Sequence, residues 1–343
     1  MMKSILIIAP SWLGDLVMSH ALLKKLKKDQ TVELDLAVPN WLVPVAKRMP
    51  EIRNIISIPF KHKELKAYER YLFSKSLRKY HYDQIIVIPK TFKSALLAYW
   101  SHAPLRTGWI GEQRYFLLND LRKNMKKVHL NVNRYLQLGE KKNSALLNDP
   151  IPEKYYPKLM LNRKNLNILI KKFNLPLETD VIAICPGASG GEAKKWPKKH
   201  FTELIKDLIK KNFKILILGA PSDQSRCDEI YDSINESQKD SVINLCGSTS
   251  LEDLIDILSL CKTAVSNDSG NLFVAAAVDI NVVAIYGPTT PDYTPPLTKK
   301  AKILHTDISC RPCHEKVCPL KHHKCMEELY PQVVSQAVLN FNS

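Results

Sequence analysis

The chain has 343 residues, 45% of them apolar and 24% charged, which is ordinary globular composition and enough for two domains. That excludes disorder, collagen and coiled coil as whole-chain descriptions; no apolar run reaches the roughly 20 residues of a spanning helix, and the first residues lack the long apolar region of a signal peptide, so the expected location is the cytoplasm. Fifty Lys and Arg against thirty-four Asp and Glu leave a formal charge of +16, a field that favours an anionic partner: nucleic acid, acidic membrane surface or phosphorylated substrate.

In chain order, residues 4–10 form a continuous apolar run of strand length, and residues 16–28 carry apolar side chains at helical spacing. Residues 32–38 alternate like a strand, 41–49 are helical, and 55–58 form a short strand. A basic stretch follows at residues 61–79, with Lys61, Lys63, Lys66, Arg70, Lys75, Arg78 and Lys79 among Tyr68, Tyr71, Leu72 and Phe73. It reads either as a helix lying on an anionic bilayer or as an exposed helix with one core-facing stripe. A buried strand at 84–89 and a helix at 94–101 complete a run of βα units, hence a parallel sheet with helices on both faces.

Proline-rich texture at 149–158 reads as a linker. Beyond it a helix is expected at 165–173, and the alternation then resumes. Strands are predicted at 181–185, 214–218, 242–245, 263–266 and 282–286, with helices at 199–211, 222–233, 251–259 and 272–277. The fold class is therefore α/β, with an N-terminal Rossmann-like domain over residues 1–155 and a second one over 156–326. A terminal helix at 327–343 is expected to pack back on the N-terminal domain. Two tandem doubly wound domains suit a GT-B glycosyltransferase with a cleft between them, a two-domain dehydrogenase or a periplasmic-type binding protein. In all three, ligands meet the residues that follow the strands.

After the first strand comes Pro10-Ser11-Trp12-Leu13-Gly14-Asp15 and then a helix. There is no G-x-G-x-x-G, which weighs against a dinucleotide fingerprint. Asp15 sits at a helix start, where the dipole favours a charged carboxylate able to accept a proton; the plainer reading is an N-cap. After the first strand of the second domain comes a loop, residues 186–197, containing Gly187, Ala188, Ser189, Gly190, Gly191, Lys194 and Trp196. Its glycines let backbone amides approach a phosphate, and Lys194 can supply the counter-charge. Asp268, Ser269 and Gly270 stand between a strand and a helix, where small residues make an anion cradle or a plain capping turn. Asp223 closes another post-strand turn that can reach a base or ribose. Two anion sites on one domain and one carboxylate on the other suggest a diphosphate-bearing donor. No D-x-D occurs in the chain, so a metal bridging that diphosphate is not indicated.

The eight cysteines split into scattered Cys185, Cys227, Cys246 and Cys261, which read as small buried hydrophobes, and a compact C-x2-C-x4-C-x6-C cluster. The cluster, Cys310, Cys313, Cys318 and Cys325, fits a structural metal site, reduced thiols or a labile disulfide.

Together these pieces resemble the bacterial ADP-heptose:lipopolysaccharide heptosyltransferases of glycosyltransferase family 9. The resemblance runs nearly end to end. It is carried by Trp12-Leu13-Gly14-Asp15-Leu16-Val17-Met18, Lys93-Ser94-Ala95-Leu96, Arg106-Thr107-Gly108-Trp109, Gly111-Glu112 and Arg114-Tyr115. Further on it is carried by Pro186-Gly187-Ala188, Ala193-Lys194, Trp196-Pro197, Asn267-Asp268-Ser269-Gly270, Tyr286-Gly287-Pro288-Thr289 and the cysteine tail.

The resemblance implies a GT-B fold and an inverting, metal-independent transfer that needs no cofactor beyond the ADP-heptose donor. It implies Asp15 as general base and Lys194 as the counter-charge to departing ADP. Gly187, Ala188, Ser189, Lys194, Trp196, Asp223, Asp268, Ser269 and Gly270 are then expected at the donor, and Lys93, Arg106, Trp109 and Arg114 at the acceptor. The implied acceptor is an anionic heptosyl-Kdo2-lipid A, met at the cytoplasmic face of the inner membrane, with no nucleic acid. The Arg106–Arg114 segment and the tail favour members that add the second heptose of the core, with addition of the first or third heptose, or a non-catalytic sugar-nucleotide binder, as alternatives. The cluster is read as structural, with no metal assigned. One position departs from the family pattern: Phe273 stands where a His is usual.

Overall fold

A computed structural model describes residues 2–60, 64–176 and 180–341. Lys61 and Lys63 of the basic stretch lie outside the described residues. The chain divides into two compact units, one ending at Pro157 and the other beginning at Lys158.

The first unit runs β1 (Lys3–Ile8), α1 (Leu13–Lys27), β2 (Val32–Pro39), α2 (Val43–Ala46), β3 (Ile52–Ile58), α3 (Ala67–Leu77), β4 (Gln84–Val87), α4 (Phe92–Trp100), β5 (Leu105–Trp109), β6 (Asp120–Arg122) and α5 (Asn131–Leu138). Its strands form one parallel sheet in the order β3-β2-β1-β4-β5-β6. In β1 the run Ile5–Ile8 is buried throughout, because its neighbours on both sides and helices on both faces leave no solvent edge. Leu6, Ile8, Ile85, Val87 and Leu97 share one apolar cluster.

The second unit runs α6 (Arg163–Phe173), β7 (Val181–Cys185), α7 (Lys198–Lys210), β8 (Lys214–Ile217), α8 (Gln224–Asp232), α9 (Glu236–Lys239), β9 (Val242–Asn244), α10 (Leu251–Leu258), β10 (Thr263–Asn267), α11 (Gly270–Ala277), β11 (Asn281–Ile285), β12 (Ala301–Leu304), α12 (Lys324–Glu327) and α13 (Pro331–Leu339). The sheet order is β12-β11-β10-β7-β8-β9, again all parallel. Local chemistry agrees with the tertiary plan. In α7, Phe201, Leu204, Ile205 and Leu208 recur at helical spacing and enter the core, and Ser250 with Asp253 forms a reciprocal cap on α10 at 3.0–3.1 Å.

Each sheet therefore has the doubly wound order 3-2-1-4-5-6, with the strand order reversing beside its first strand, between β1 and β4 and between β7 and β10. The loops after those strands are where a ligand is expected. The α/β class with two Rossmann-like units stands as read from the sequence, and it is the GT-B type of chain.

One expectation is corrected. The terminal helix, expected to pack back on the N-terminal domain, belongs to the second unit. Val334, Ala337 and Val338 of α13 bury in the second unit's own core beside α7, because that stripe is apolar and α7 presents a matching one.

Candidate active site

In the first unit the helix begins earlier than its periodicity suggests. Trp12 is extended (φ −109°, ψ 141°) and Leu13-Gly14-Asp15 form the first turn of α1. Asp15 thus lies inside that turn, where the unpaired backbone N–H groups favour a negative charge. It is not the N-cap residue; Trp12 holds that position and makes no side-chain cap. Two neutral donors from α5 reach the same carboxylate oxygen. The Tyr135 hydroxyl donates to Oδ1 at 2.6 Å and the Asn131 amide at 3.1 Å. Asn131 also donates to the Tyr135 oxygen at 2.8 Å. Sequence reading placed nothing at Asn131 or Tyr135; their four-residue separation on one helical face was the available signal.

The expected acceptor residues divide. Lys93, in the first turn of α4, is half-buried, and its ammonium is held below its ordinary range by burial and then by the nearby Arg70 charge. Trp109 and Arg114 are corrected to framework roles. Trp109 is buried and donates through Nε1 to the Arg134 carbonyl at 3.0 Å. Arg114 is 1% exposed, and its guanidinium is spent on the carbonyls of Trp109 (3.0 Å from Nε) and Pro89 (2.5 Å from Nη1). Burial pushes Arg114 down to about 10, so it remains charged at neutral pH while bracing the loop between β5 and β6. Arg106 likewise donates to the carbonyls of Leu117 (2.9 Å) and Ala103 (2.7 Å). A fork of fixed donors suits this bracing, since unpaired buried carbonyls are costly.

In the second unit the loops after β7, β8, β10 and β11 interlock. Asn267, at the end of β10, donates to the Pro186 carbonyl at 2.8 Å and accepts from the Trp196 N–H at 3.1 Å. The 186–197 loop is thereby pinned at the strand-order reversal. Lys194 reaches Asp268 with a 2.7 Å ion pair, and Thr289 donates to the same Asp268 oxygen at 2.7 Å. Asp268 is buried, whereas Lys194, Ser269 and Gly270 are half-buried and Ser189 is exposed. Ser269 stands at the N-cap of α11. A Cβ on Gly187 would overlap the Asp223 carboxylate and force that side chain to shift; the carboxylate also accepts from the Ala220 N–H at 3.2 Å. Ala188 is buried beside it. Gly191 takes φ +122° with the Lys316 backbone close by, a conformation that other residues rarely adopt.

Trp196 is a further correction. It is fully buried, donates to the Leu329 carbonyl at 2.8 Å and packs edge-on against Phe201. It anchors the loop's exit and presents no face to a donor. Phe273 is also buried, packed within α11.

The cysteine-rich segment laces the loops after β7 and β11 together. Arg311 donates to the carbonyls of Gly287 (3.0 Å) and Thr289 (3.1 Å), His314 N–H to Pro288 (2.8 Å), and Ala193 N–H to Lys316 (3.0 Å). All four clustered cysteines are free thiols. Cys325 is pushed up to about 11 by burial and then by its neighbours Cys310, Cys313 and Cys318, whereas backbone N–H groups, foremost that of His323, hold Cys318 below the ordinary thiol range. Among the described residues no group of three or more His, Cys, Asp or Glu side chains is arranged to hold a metal ion, and no helix is long and apolar enough to cross a membrane.

Known proteins resemble this chain in sequence and fold. The profile of Glycosyltransferase family 9 (heptosyltransferase) matches residues 70–324. The chain is 37% identical to lipopolysaccharide heptosyltransferase 2 of Salmonella typhimurium over 333 residues, 96% of each chain. It is 40% identical to lipooligosaccharide heptosyltransferase 2 of Haemophilus influenzae over 306 residues, 88% of each. The solved structure of Escherichia coli ADP-heptose lps heptosyltransferase II matches with a TM-score of 0.88 at 34% identity, covering 99% of this chain and 98% of that one. A doubly wound pair of sheets, a carboxylate in the first turn after β1, a lysine-bearing loop after β7 and likeness along the whole length lead to one conclusion: the chain belongs to glycosyltransferase family 9, the heptosyltransferases.

Proposed function

We propose that this enzyme moves L-glycero-D-manno-heptose from ADP-heptose to the first heptose of the Kdo2-lipid A inner core, with inversion at the anomeric carbon. The observation that carries the reading is Asp15: a carboxylate inside a helix's first turn, held by Tyr135 and Asn131, in a chain that resembles heptosyltransferase 2 from end to end.

In this mechanism Asp15 accepts the proton of the acceptor hydroxyl as that oxygen attacks the anomeric carbon. The bond from that carbon to the ADP oxygen breaks, and ADP departs with the electron pair. Helix dipole and neutral hydrogen bonds favour the charged carboxylate without cancelling its charge, which suits a base. The Lys194 ammonium neutralises the departing diphosphate, exchanging part of its pairing with Asp268 for the phosphate oxygens. Amides of Ser269 and Gly270 at the start of α11 hold phosphate, and Asp223 beside Gly187 accepts from the ribose hydroxyls. Phe273 leaves this work to Lys194 and the helix terminus. No metal or other cofactor is required in this scheme.

Lys93 contributes positive charge toward the phosphorylated, Kdo-bearing acceptor. We infer further that the enzyme works in the cytoplasm, peripheral to the inner membrane. The exposed Tyr68, Leu72 and Lys75 along α3, with Lys79 just beyond its end, have the basic, amphipathic character such a surface needs. Nucleic acid is not a partner in this reading.

Mass spectrometry of products tests it. With ADP-heptose and Kdo2-lipid A bearing zero, one or two heptoses, one addition is expected on the mono-heptosyl acceptor only. Transfer to another acceptor would keep the chemistry and reassign the substrate; no transfer to any would refute the reading.

A further inference from the structure

We propose that Tyr135, supported by Asn131, is the positioning residue of the base: it aims the Asp15 carboxylate and keeps it charged. This rests on the reading of Asp15 as general base.

The three side chains close a triangle. Asn131 spends one amide hydrogen on Asp15 Oδ1 and the other on the Tyr135 oxygen, and Tyr135 spends its hydroxyl hydrogen on the same Oδ1. A phenol that accepts one hydrogen bond donates its own more strongly, so the chain from Asn131 through Tyr135 ends on the carboxylate. The 2.6 Å separation is in the range of charge-assisted bonds. Tyr135 and Asn131 are 7% and 8% exposed, so bulk water does not compete for these hydrogens.

The two donors are also held independently of Asp15. Helix α5 lies close against α1: a Cβ on Gly139 would meet Leu22 Cδ1 at 2.9 Å and Leu26 Cδ2 at 3.3 Å. Lys25 of α1 reaches the Leu136 carbonyl at 3.4 Å and pairs with Glu140. The helix that carries the donors is therefore fastened to the helix that carries the base, and the donors meet the carboxylate without having to be ordered by it. Both donors are neutral. A lysine in their place would hold the carboxylate as firmly but would oppose its protonation, which a base must undergo in each turnover.

The test compares Tyr135→Phe, Asn131→Ala, Asp15→Asn and Tyr135→Phe/Asp15→Asn with the parent on ADP-heptose and the mono-heptosyl acceptor. Tyr135→Phe keeps the ring and removes one hydroxyl. It is expected to lower kcat by roughly 10- to 100-fold with the KM for ADP-heptose unchanged. Its kcat/KM profile should move its acid limb to higher pH, because the carboxylate loses a donor that favours its charged form. Asn131→Ala should move both in the same direction by less. The double variant should be no slower than Asp15→Asn alone, since Tyr135 acts only through the carboxylate. An unshifted acid limb with parental kcat in Tyr135→Phe, or losses that simply multiply in the double variant, would overturn the inference while leaving the base reading intact. Parental turnover in Asp15→Asn would overturn both.

Discussion

The two units each hold one charged group in a loop or turn at the strand-order reversal, and they hold it differently. In the first, a carboxylate rests on two neutral donors, Tyr135 and Asn131. In the second, an ammonium rests on an opposite charge, Asp268, which Thr289 steadies. In the proposed mechanism the difference follows from what each group does. A base has to change charge during turnover, so its supports stabilise the anion without neutralising it. A lysine that meets a diphosphate keeps its charge throughout, so a carboxylate can hold it in place until a better anion arrives.

The lysine side of that contrast is the most exposed to a single substitution. Lys194→Gln should lower kcat/KM by roughly 100- to 1,000-fold, because the charge built on the departing diphosphate loses its fixed counter-charge. Steady-state kinetics with ADP-heptose checks this, and a loss below ten-fold would mean that helix amides carry the diphosphate alone. Gly187→Ala sharpens the same point sterically. The new methyl would displace the Asp223 carboxylate, so the KM for ADP-heptose should rise roughly ten-fold while Asp15-dependent chemistry is spared.

Framework residues should respond in stability. Arg114→Lys cannot span the Trp109 and Pro89 carbonyls with one ammonium. About 2–3 kcal/mol of stability should be lost in chemical denaturation, with little change in KM for ADP-heptose. The smallest expected effect concerns His200, which burial holds below the usual imidazole range. As pH falls through the ordinary histidine range the unfolded chain takes up a proton that the folded one resists, so stability declines. His200→Leu should flatten that decline, measured as the drop in Tm between neutral and mildly acidic pH; an identical drop would assign it to other groups.

How much of this was legible in the sequence depended on where side chains face. The first strand of each sheet is buried on both sides and announces itself as an unbroken apolar run, Ile5–Ile8 in β1 and Val181–Cys185 in β7. Residues 102–148 gave no secondary-structure signal, for physical reasons. Leu105–Trp109 and Asp120–Arg122 are strands only because each pairs with a neighbour, and their Arg, Gly and Asp give no strand signal. At eight residues helix α5 is shorter than the stretch over which helical periodicity stands out, and it buries Asn131, Asn133 and Gln137 along with its apolar residues. That polar interior is the part that reaches Asp15. Motif residues showed the opposite weakness: Trp109, Arg114 and Trp196 stand in the family's motifs, yet their side chains turn inward and hold loops. Residue type at a motif position does not reveal which way the side chain points.

The central claim is that Asp15 takes the acceptor's proton, and single-turnover kinetics of Asp15→Asn measures it most directly, alongside binding of ADP-heptose by calorimetry. The account predicts unchanged donor affinity and product formation slowed by about 1,000-fold or more. Turnover within about ten-fold of the parent, with donor affinity intact, would contradict it and move the base elsewhere.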